Sequence, residues 1–241
     1  MAAGHPAAGG GRWLEVAPDR LARWLAGFAE RHGGIPDIQR DAEAVALHGA
    51  DGAVAECHVP FPPLPTRSGH DTASEHDSVA TQAAEMAAHA AADRLVGVIL
   101  VRLGGYAVGV FEGERLVASK VGARLVHGRT SAGGWSQQRF ARRRDKQARE
   151  ALAAAADTAA RVLGPYDGRL AAVVLGGDRR AVDAVRGDPR LTPVFALAVD
   201  RFLTVPDPRL AVLAATPRRF RAIRIRLTEP PHRTPPGFPP S

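Results

Sequence analysis

Two adjacent glutamines, Gln137 and Gln138, lie between a glycine-containing loop and an arginine-rich segment. The loop includes Gly133 and Gly134, which can adopt backbone conformations that other residues avoid, so it can bend sharply. A glutamine amide neither titrates near neutral pH nor attacks as a nucleophile, but it can position a water molecule or donate a hydrogen bond to a developing oxyanion. The pattern fits a hydrolytic site, although most glutamines in polar loops have no catalytic role.

The segment that follows predicts a long helix, about 138–163, with a cationic stripe along its first turns. The stripe has cations at positions i, i+3, i+7 and i+10, broadened by two further arginines: Arg139, Arg142, Lys146, Arg149, Arg143 and Arg144. Cations near a helix N-terminus are unfavourable until an anion binds, because the helix dipole is already positive at that end. Arginines and helix N-termini both bind phosphate, so the stripe indicates a phosphate chain as its partner, and a glutamine beside it fits hydrolysis at an RNA end. The alternative is a solvated helix face.

The other face of the same helix predicts a packed core partner. Small and apolar residues recur there at the spacing of a buried stripe: Ala141, Ala148, Leu152, Ala155, Ala159 and Val162. Three apolar runs with short turns precede the helix and predict an antiparallel meander at 95–103, 106–113 and 115–122. Strand and helix patterns then alternate at 169–177, 179–187, 195–203, 207–217 and 220–228. This order predicts an α/β fold, with a mixed sheet and helices on its faces.

The N-terminal third predicts a smaller unit. Its segments are a helix at 13–32, a hairpin at 44–61, a polar loop at 66–80 and an alanine-rich helix at 80–94. The first helix has Leu21, Trp24, Leu25 and Phe28 at helical spacing, and the hairpin turns at Asp51-Gly52. The predicted boundaries are a disordered N-terminus at 1–12, the N-terminal region at 13–92, a catalytic domain at 93–229 and a disordered proline-rich tail at 230–241.

The composition narrows the class of protein. The chain has 241 residues and a formal net charge of +7. Such basicity favours an anionic partner such as nucleic acid, although a basic surface can also serve solubility alone. Cys57 is the single cysteine, which excludes a disulfide framework and a cysteine-based zinc site. The sequence has neither a signal-peptide pattern nor a membrane-spanning apolar run, so we expect a cytoplasmic protein with no membrane partner.

Three further groups of residues could carry function. A polar segment could ligate a metal but lacks an apolar frame to fix the ligands, so we expect no metal site at His70, Asp71, Glu75, His76 and Asp77. The run VLGGD at 174–178 is either a phosphate-binding turn or a strand-to-helix junction. Arg224 and Arg226 lie on one face of the last strand, as a second RNA contact or as an ordinary solvated face.

Motifs on both sides of the glutamines resemble the catalytic loop of class I peptide-chain release factors of eukaryotes and archaea. The sequence His-Gly-Arg at 127–129 precedes the two glycines, and Arg-Phe-Ala-Arg at 139–142 follows them. The resemblance covers about 95–197 and is closest to the actinobacterial branch of release-factor-like peptidyl-tRNA hydrolases associated with ribosome rescue and quality control. Trp135 stands where a release factor has its glutamine. The branch's Gly-x-x-Gln spacing fits residues 134–137 and favours Gln137 over Gln138.

The resemblance implies a fold, a reaction and a partner. The fold is that of the release-factor middle domain, a ribonuclease-H-like mixed sheet with flanking helices, to which this chain adds a small N-terminal helix–hairpin extension. The reaction is hydrolysis of the peptidyl-tRNA ester in the peptidyl-transferase centre of the large ribosomal subunit. Gln137 would position the water, with no metal or cofactor. The residues expected to contact RNA are His127, Arg129, Arg139, Arg142, Arg143, Lys146 and Arg149. We expect a monomer that rescues stalled ribosomes without decoding stop codons.

Two other functions stay open at this point. A nuclease that shortens the 3′ end of ribosome-bound tRNA would use the same basic surface, although the sequence has no evident carboxylate cluster for two-metal cleavage. A non-catalytic RNA-binding or ribosome-binding module would need the cationic stripe but not Gln137. The chemistry at the tRNA 3′ end separates the hydrolase from the nuclease, and a Gln137→Ala variant separates an enzyme from a binding module.

Overall fold

The chain divides into two compact units. The computed structural model describes residues 5–7, 10–65, 78–123 and 136–230, and for 123 and 136–145 it describes the backbone only. The first unit combines the two ends of the chain, 1–91 and 221–241, and the second comprises 92–220. In the part of the chain that is described, every helix is too short or too polar to span a lipid bilayer.

Within the described residues, the first unit is an antiparallel sheet of six strands with two α-helices. Its strands are β1 (His5–Pro6), β2 (Arg12–Val16), β3 (Asp37–Arg40), β4 (Ala44–His48), β5 (Val54–His58) and β11 (Ile223–Thr228). They lie in the order β1-β2-β11-β5-β4-β3. The helices are α1 (Leu21–Arg31), which follows a 3₁₀ turn at Pro18–Arg20, and α2 (Val79–Ala91).

The core of this unit lies between one face of the sheet and the two helices. Leu21, Leu25 and Phe28 of α1 are fully buried, in one cluster with alternate residues of the sheet such as Ile225 of β11. The predicted β4–β5 hairpin is confirmed, and Gly52 has a φ of 90° in its turn. That angle suits glycine because it has no Cβ. The sequence therefore identified both the packing face of α1 and the hairpin.

The prediction of one helix across 13–32 is wrong in its first part. Residues 12–16 form β2, which pairs with β11, and the α-helix begins only at Leu21. Pro18 lies at the start of the intervening 3₁₀ turn, where its fixed φ and missing amide hydrogen are tolerated. The strand depends on a partner about two hundred residues away in the sequence, so local periodicity did not reveal it.

The second unit is a mixed sheet with helices, as the described residues show. Its strands are β6 (Leu95–Arg102), β7 (Gly105–Glu112), β8 (Arg115–Ala123), β9 (Ala172–Gly177) and β10 (Ala198–Leu203). Its helices are α3 (Ser136–Leu163), α4 (Arg179–Arg186), α5 (Thr192–Ala196), α6 (Leu210–Ala214) and α7 (Pro217–Phe220), with 3₁₀ turns at Gly164–Tyr166 and Pro189–Leu191.

The order of these strands is β10-β9-β6-β7-β8, in which β6, β7 and β8 form an antiparallel meander and β9 and β10 run parallel to β6. This arrangement is the ribonuclease-H-like α/β fold, so the predicted fold class is confirmed. The run 195–203, predicted as one strand, is divided between the end of α5 and the strand β10.

The last strand requires a correction to the predicted domains. The sequence assigned residues up to 229 to the catalytic domain and gave the N-terminal region only a helix and a hairpin. In the structure, Ile223–Thr228 lies between β2 and β5 and pairs with both. The strand β11 thus completes the sheet of the first unit. Alternation along a strand shows which residues face a core, but it does not show which sheet the strand joins.

Candidate active site

The two candidate catalytic glutamines lie in the first turn of α3. The helix begins at Ser136, so Gln137 and Gln138 are its second and third residues. The sequence had placed Gln137 in the loop and started the helix at 138. Successive helical residues are separated by about 100° around the axis. The helix backbone therefore gives the two glutamine positions different directions, and this difference makes them experimentally separable.

The remaining predicted residues fall on both sides of this point. The loop residues lie within 124–135, outside the described residues: His127, Arg129, Gly133 and Gly134. For the first three arginines of the stripe the helix backbone alone is described: Arg139, Arg142 and Arg143. Lys146 and Arg149 have exposed side chains, and the first turn of α3 contains no acidic residue. The N-terminal half of the helix therefore carries its positive charge without acidic compensation in the first turn.

The C-terminal half of α3 anchors the helix in the core. Ala155, Ala159 and Leu163 are at most 1% exposed, whereas residues 146–154 are all partly or fully exposed. The hydroxyl of Thr158 donates a hydrogen bond to the Tyr106 hydroxyl of β7 at 3.2 Å. Among the members of the predicted stripe whose side chains are described, Ala155 and Ala159 are thus fully buried, whereas Ala148, Leu152 and Val162 are partly exposed. A helix of 28 residues is about 42 Å long. Because its C-terminal half is packed in the core, that half fixes the direction of the helix axis, and the glutamines lie at the opposite end.

Arg190 connects the buried half of α3 to the 3₁₀ turn Pro189–Leu191. Its Nη2 donates to Oδ1 of Asp157 on α3 and to Oδ2 of Asp188, each at 2.6 Å. The Asp188 carboxylate also accepts a hydrogen bond from the Arg190 amide at 3.0 Å. The hydrogen bonds to Arg190 lower the pKa of Asp188 to about 2, and the bond from the guanidinium has the largest effect.

Replacing Arg190 with alanine is expected to raise the pKa of Asp188 from about 2 toward the ordinary 3.8. Because the folded-state pKa lies below the unfolded one, this carboxylate stabilises the wild type above about pH 4, and that contribution is lost as the pH falls through 2. The variant should therefore lose most stability near neutral pH and differ least in acid. An NMR titration of the Asp188 carboxyl carbon measures the pKa. Urea unfolding at neutral pH and in acid measures the stability of the wild type and the variant.

Arg161→Ala, which removes another exposed arginine of α3, is the matched control for this measurement. It should leave the Asp188 titration unchanged. An unshifted Asp188 pKa in Arg190→Ala would show that the guanidinium does not hold this carboxylate in solution.

The glycine-rich run at 174–178 is a strand-to-helix junction. β9 ends at Gly177, and Asp178 caps α4 by accepting hydrogen bonds from the amides of Arg180 at 2.9 Å and Ala181 at 3.3 Å. The Asp178 carboxylate thus occupies the position that a phosphate would take at this helix N-terminus. This geometry favours the structural interpretation over a phosphate-binding turn.

The arginines of the last strand have partners within the first unit. The Arg224 guanidinium lies 4.3 Å from the centroid of the Trp13 ring, and Nη1 of Arg226 lies 3.9 Å from Oε2 of Glu56. Arg221, which precedes the last strand, is buried and donates to the carbonyls of Ala90 and Ala91 at the end of α2. Cations at the end of a helix satisfy its last carbonyl groups. These contacts favour a structural role for the last-strand arginines over a second RNA contact.

The candidate metal ligands of the polar segment all lie within 66–77, outside the described residues. Elsewhere, in the ranges that the structure does describe, no three His, Cys, Asp or Glu side chains are grouped so that they could hold a metal ion.

Sequence reasoning missed a cavity beside α3, of about 220 Å³. Its walls include Tyr106 of β7, Gly122 of β8 and Ala151 of α3. Tyr106 and Gly122 face each other across the meander, and a Cβ on Gly122 would lie 2.3 Å from the Tyr106 ring. Because glycine has no side chain, residue 122 leaves room for the Tyr106 ring against β8. The signal in the sequence is an aromatic residue opposite a glycine, which becomes recognisable only when the strand register is known.

Comparison with known proteins gives one family. The family model described as "Actinobacteria/chloroflexi VLRF1 release factor" matches residues 94–226, more than half of the chain. No curated protein matches the chain.

Solved structures are similar at low sequence identity. An archaeal translation termination factor, aRF1, has 14% identity and a TM-score of 0.40, covering 87% of this chain and 66% of its own. A structure described as an archaeal protein has 14% identity and a TM-score of 0.35, covering 83% of this chain and 62% of its own. The Vms1 mitochondrial localization core has 12% identity and a TM-score of 0.34, covering 89% of this chain and 82% of its own. This chain thus spans slightly less than two thirds of the length of the first two structures.

Proposed function

Because the chain belongs to the VLRF1 release factor family of Actinobacteria and Chloroflexi, we propose that it is a peptidyl-tRNA hydrolase that frees nascent peptides from stalled ribosomes. Family membership supports a ribosome-rescue role. The proposal adds the reaction, the ester substrate in the peptidyl-transferase centre of the large subunit, and the residues. It also includes action in the cytoplasm, as a monomer and without a metal.

The observation that carries the proposal is the position of the glutamines at the start of a long, anchored helix. In the proposed reaction, the amide of Gln137 positions a water molecule for attack on the ester carbonyl carbon. The bond between that carbon and the ribose oxygen breaks, one proton of the water goes to the leaving ribose oxygen, and the other is released to solvent. The products are a peptide with a free carboxylate and a tRNA with an intact 3′ end. A residue that does not titrate suits this task, since it orients water without having to exchange a proton.

The exposed cations of α3 support an RNA substrate. Lys146 and Arg149 lie on the exposed, N-terminal side of the buried half of the helix. Phosphate groups compensate the helix dipole and the side-chain charges together. Docking of the tRNA acceptor end along α3 would then bring the ester to the first turn of the helix, where the glutamines lie. In this proposal His127, Arg129 and the other arginines of the stripe contribute further RNA contacts.

The proposal is tested by adding the protein to stalled ribosomes that carry labelled peptidyl-tRNA. We expect release of the labelled peptide, and sequencing of the tRNA 3′ end in the same samples should find it intact. A shortened 3′ end that accompanies release would assign the protein to the nucleases. Binding to the ribosome without release would assign it to the non-catalytic modules.

A further inference from the structure

We propose that the cavity between α3 and the β6–β8 meander binds an unpaired nucleobase of the RNA on which the protein acts. This inference rests on the proposed function, since it assumes an RNA substrate, and it adds a binding site that the hydrolytic mechanism does not use. The cavity lies wholly in the second unit, and its walls come from the β6–β7 turn, the end of β8 and residues 148–154 of α3.

The size and lining of the cavity fit one flat aromatic ring system. An engineered apolar cavity of about 150 Å³ binds benzene, so a volume of about 220 Å³ has room for one nucleobase and not for two. The α3 wall is formed by short side chains, Ala148, Ala151 and Ala154 together with Leu152, which leave a smooth surface. The opposite wall includes the Tyr106 ring. Aromatic side chains and apolar surfaces of this kind are the stacking platforms of unpaired bases.

Leu103 lies at the rim of the cavity and is 59% exposed. Among the described residues, Leu103 and Leu210 are the two large apolar side chains that are exposed. A large apolar side chain in water at the rim of an apolar cavity marks a ligand site more often than an isolated exposed leucine does.

Cations next to the cavity favour a nucleotide over an uncharged apolar ligand. Arg149 is exposed on α3 and lies three residues before the cavity residue Leu152, a spacing that places two helical residues side by side. Arg102 is itself part of the lining, and its Nη1 donates to the carbonyl of Val205 at 2.8 Å, which holds the guanidinium in place. The carboxylate of Asp207 lies 3.7 Å from Nε of Arg102 and offsets part of that charge. A base in the cavity would place its phosphates beside these cations.

The cavity lies farther along α3 than the proposed catalytic turn, so the two can bind different nucleotides of one RNA. Ala148 is eleven residues beyond Gln137 on the same helix, which corresponds to a rise of about 16 Å. A base held there is thus not the nucleotide that carries the ester but a neighbour. Gly122, one residue before the end of β8, lines the cavity, so the occupant contacts the strand that leads into the glycine-containing loop as well as the helix that follows the loop.

The test uses the full chain and short RNA oligonucleotides that carry one unpaired 2-aminopurine, a base whose fluorescence is quenched by stacking. Ala151→Phe fills the cavity, and Ala153→Phe is the matched control because Ala153 is exposed on the same helix and does not line the cavity. We expect quenching with the wild type and with the control. With Ala151→Phe the quenching should be lost and the Kd raised about tenfold, the size expected for losing one stacked base. Circular dichroism verifies that both variants fold.

Leu103→Ser provides a second variant if Ala151→Phe fails to fold, because Leu103 is exposed and its replacement leaves the helix intact. We expect it to reduce the quenching. Equal quenching and affinity in the wild type and the folded cavity variants, or no quenching with the wild type, would overturn the proposal. An NMR titration adds a further check. If N-acetyl-leucine amide shifts the Tyr106 ring resonances and the oligonucleotide does not, the proposal is overturned and the cavity is assigned to a peptide side chain.

Two oligonucleotides distinguish the possible sources of the base. One carries 2-aminopurine beside a free 3′ end, as in the acceptor end of tRNA, and the other carries it in an internal loop, as in ribosomal RNA. Quenching of either supports the cavity as a base site, and the stronger signal identifies the source. Since no ribosome and no ester are present, the result is independent of peptide release, so failure of the cavity proposal and failure of the hydrolase proposal are distinguishable.

Discussion

Replacing Gln137 with alanine is expected to lower the rate of peptide release from stalled ribosomes by about 10²–10³-fold, the loss typical of removing one preorganised hydrogen-bond donor from a hydrolytic site. The water would lose the amide that orients it, whereas the cationic stripe that holds the RNA would be unchanged. Ribosome binding should therefore persist. Single-turnover release of labelled peptide measures the rate, and co-sedimentation with ribosomes measures the binding.

Gln138→Ala is the matched control, because Gln138 is the next residue of the same helical turn. Its position differs from that of Gln137 by about 100° around the helix axis, so one water molecule cannot depend equally on both. We expect release by Gln138→Ala to stay close to that of the wild type. A large loss in Gln138→Ala and none in Gln137→Ala would exchange the two roles. Unchanged release in both variants would remove the glutamines from the mechanism.

Replacing Gly177 with alanine is expected to lower the free energy of unfolding by about 3–5 kcal/mol, because the new side chain is both strained and obstructed. Gly177 has a φ of 106°, which L residues rarely adopt. A Cβ at this position would lie 2.1 Å from the carbonyl oxygen of Val101. That oxygen belongs to β6, the central strand of the sheet, and also accepts the amide of Asp178 at 2.8 Å. The obstruction is thus backbone within a sheet, which cannot move aside at small cost. Urea unfolding followed by circular dichroism measures the loss.

Gly168→Ala separates the two causes. Gly168 also has a positive φ, of 70°, but a Cβ there meets nothing within 4 Å. Its replacement should therefore cost only the conformational strain, about 1 kcal/mol. If both variants lose the same stability, the contact with Val101 contributes nothing and the expected obstruction at the end of β9 is absent in solution.

Local patterns of the sequence were sufficient for most individual elements. The meander, the long helix, the turn at Asp51-Gly52 and the buried face of α1 follow from apolar periodicity and turn residues that lie close together in the sequence. The predictions failed where a long-range pairing decides the structure. Residues 12–16 form a strand because β11 lies beside them, and nothing within a local window distinguishes this from the start of a helix.

The candidate site divides in the same way. The motif spacing of the resembling family favours Gln137, and the composition of the following segment supplies the cationic stripe, because both depend on residues that are close together in the sequence. The sequence did not predict that the helix already begins at Ser136, and it left open whether 174–178 is a phosphate loop. The hydrogen bonds that Asp178 accepts from amides in the first turn of α4 favour a strand-to-helix junction over a phosphate loop, and they are visible only in the structure.

The sequence by itself thus determined the α/β class and the positive charge along the long helix, and it predicted the glutamine pair as the candidate site. Only the tertiary structure decided that the chain's last strand completes the first sheet, that Tyr106 lies on Gly122, and that this pairing forms one wall of a cavity beside α3. The physical reason is that periodicity records which side of an element is buried, whereas strand partners, register and cavities depend on contacts between residues far apart in the sequence.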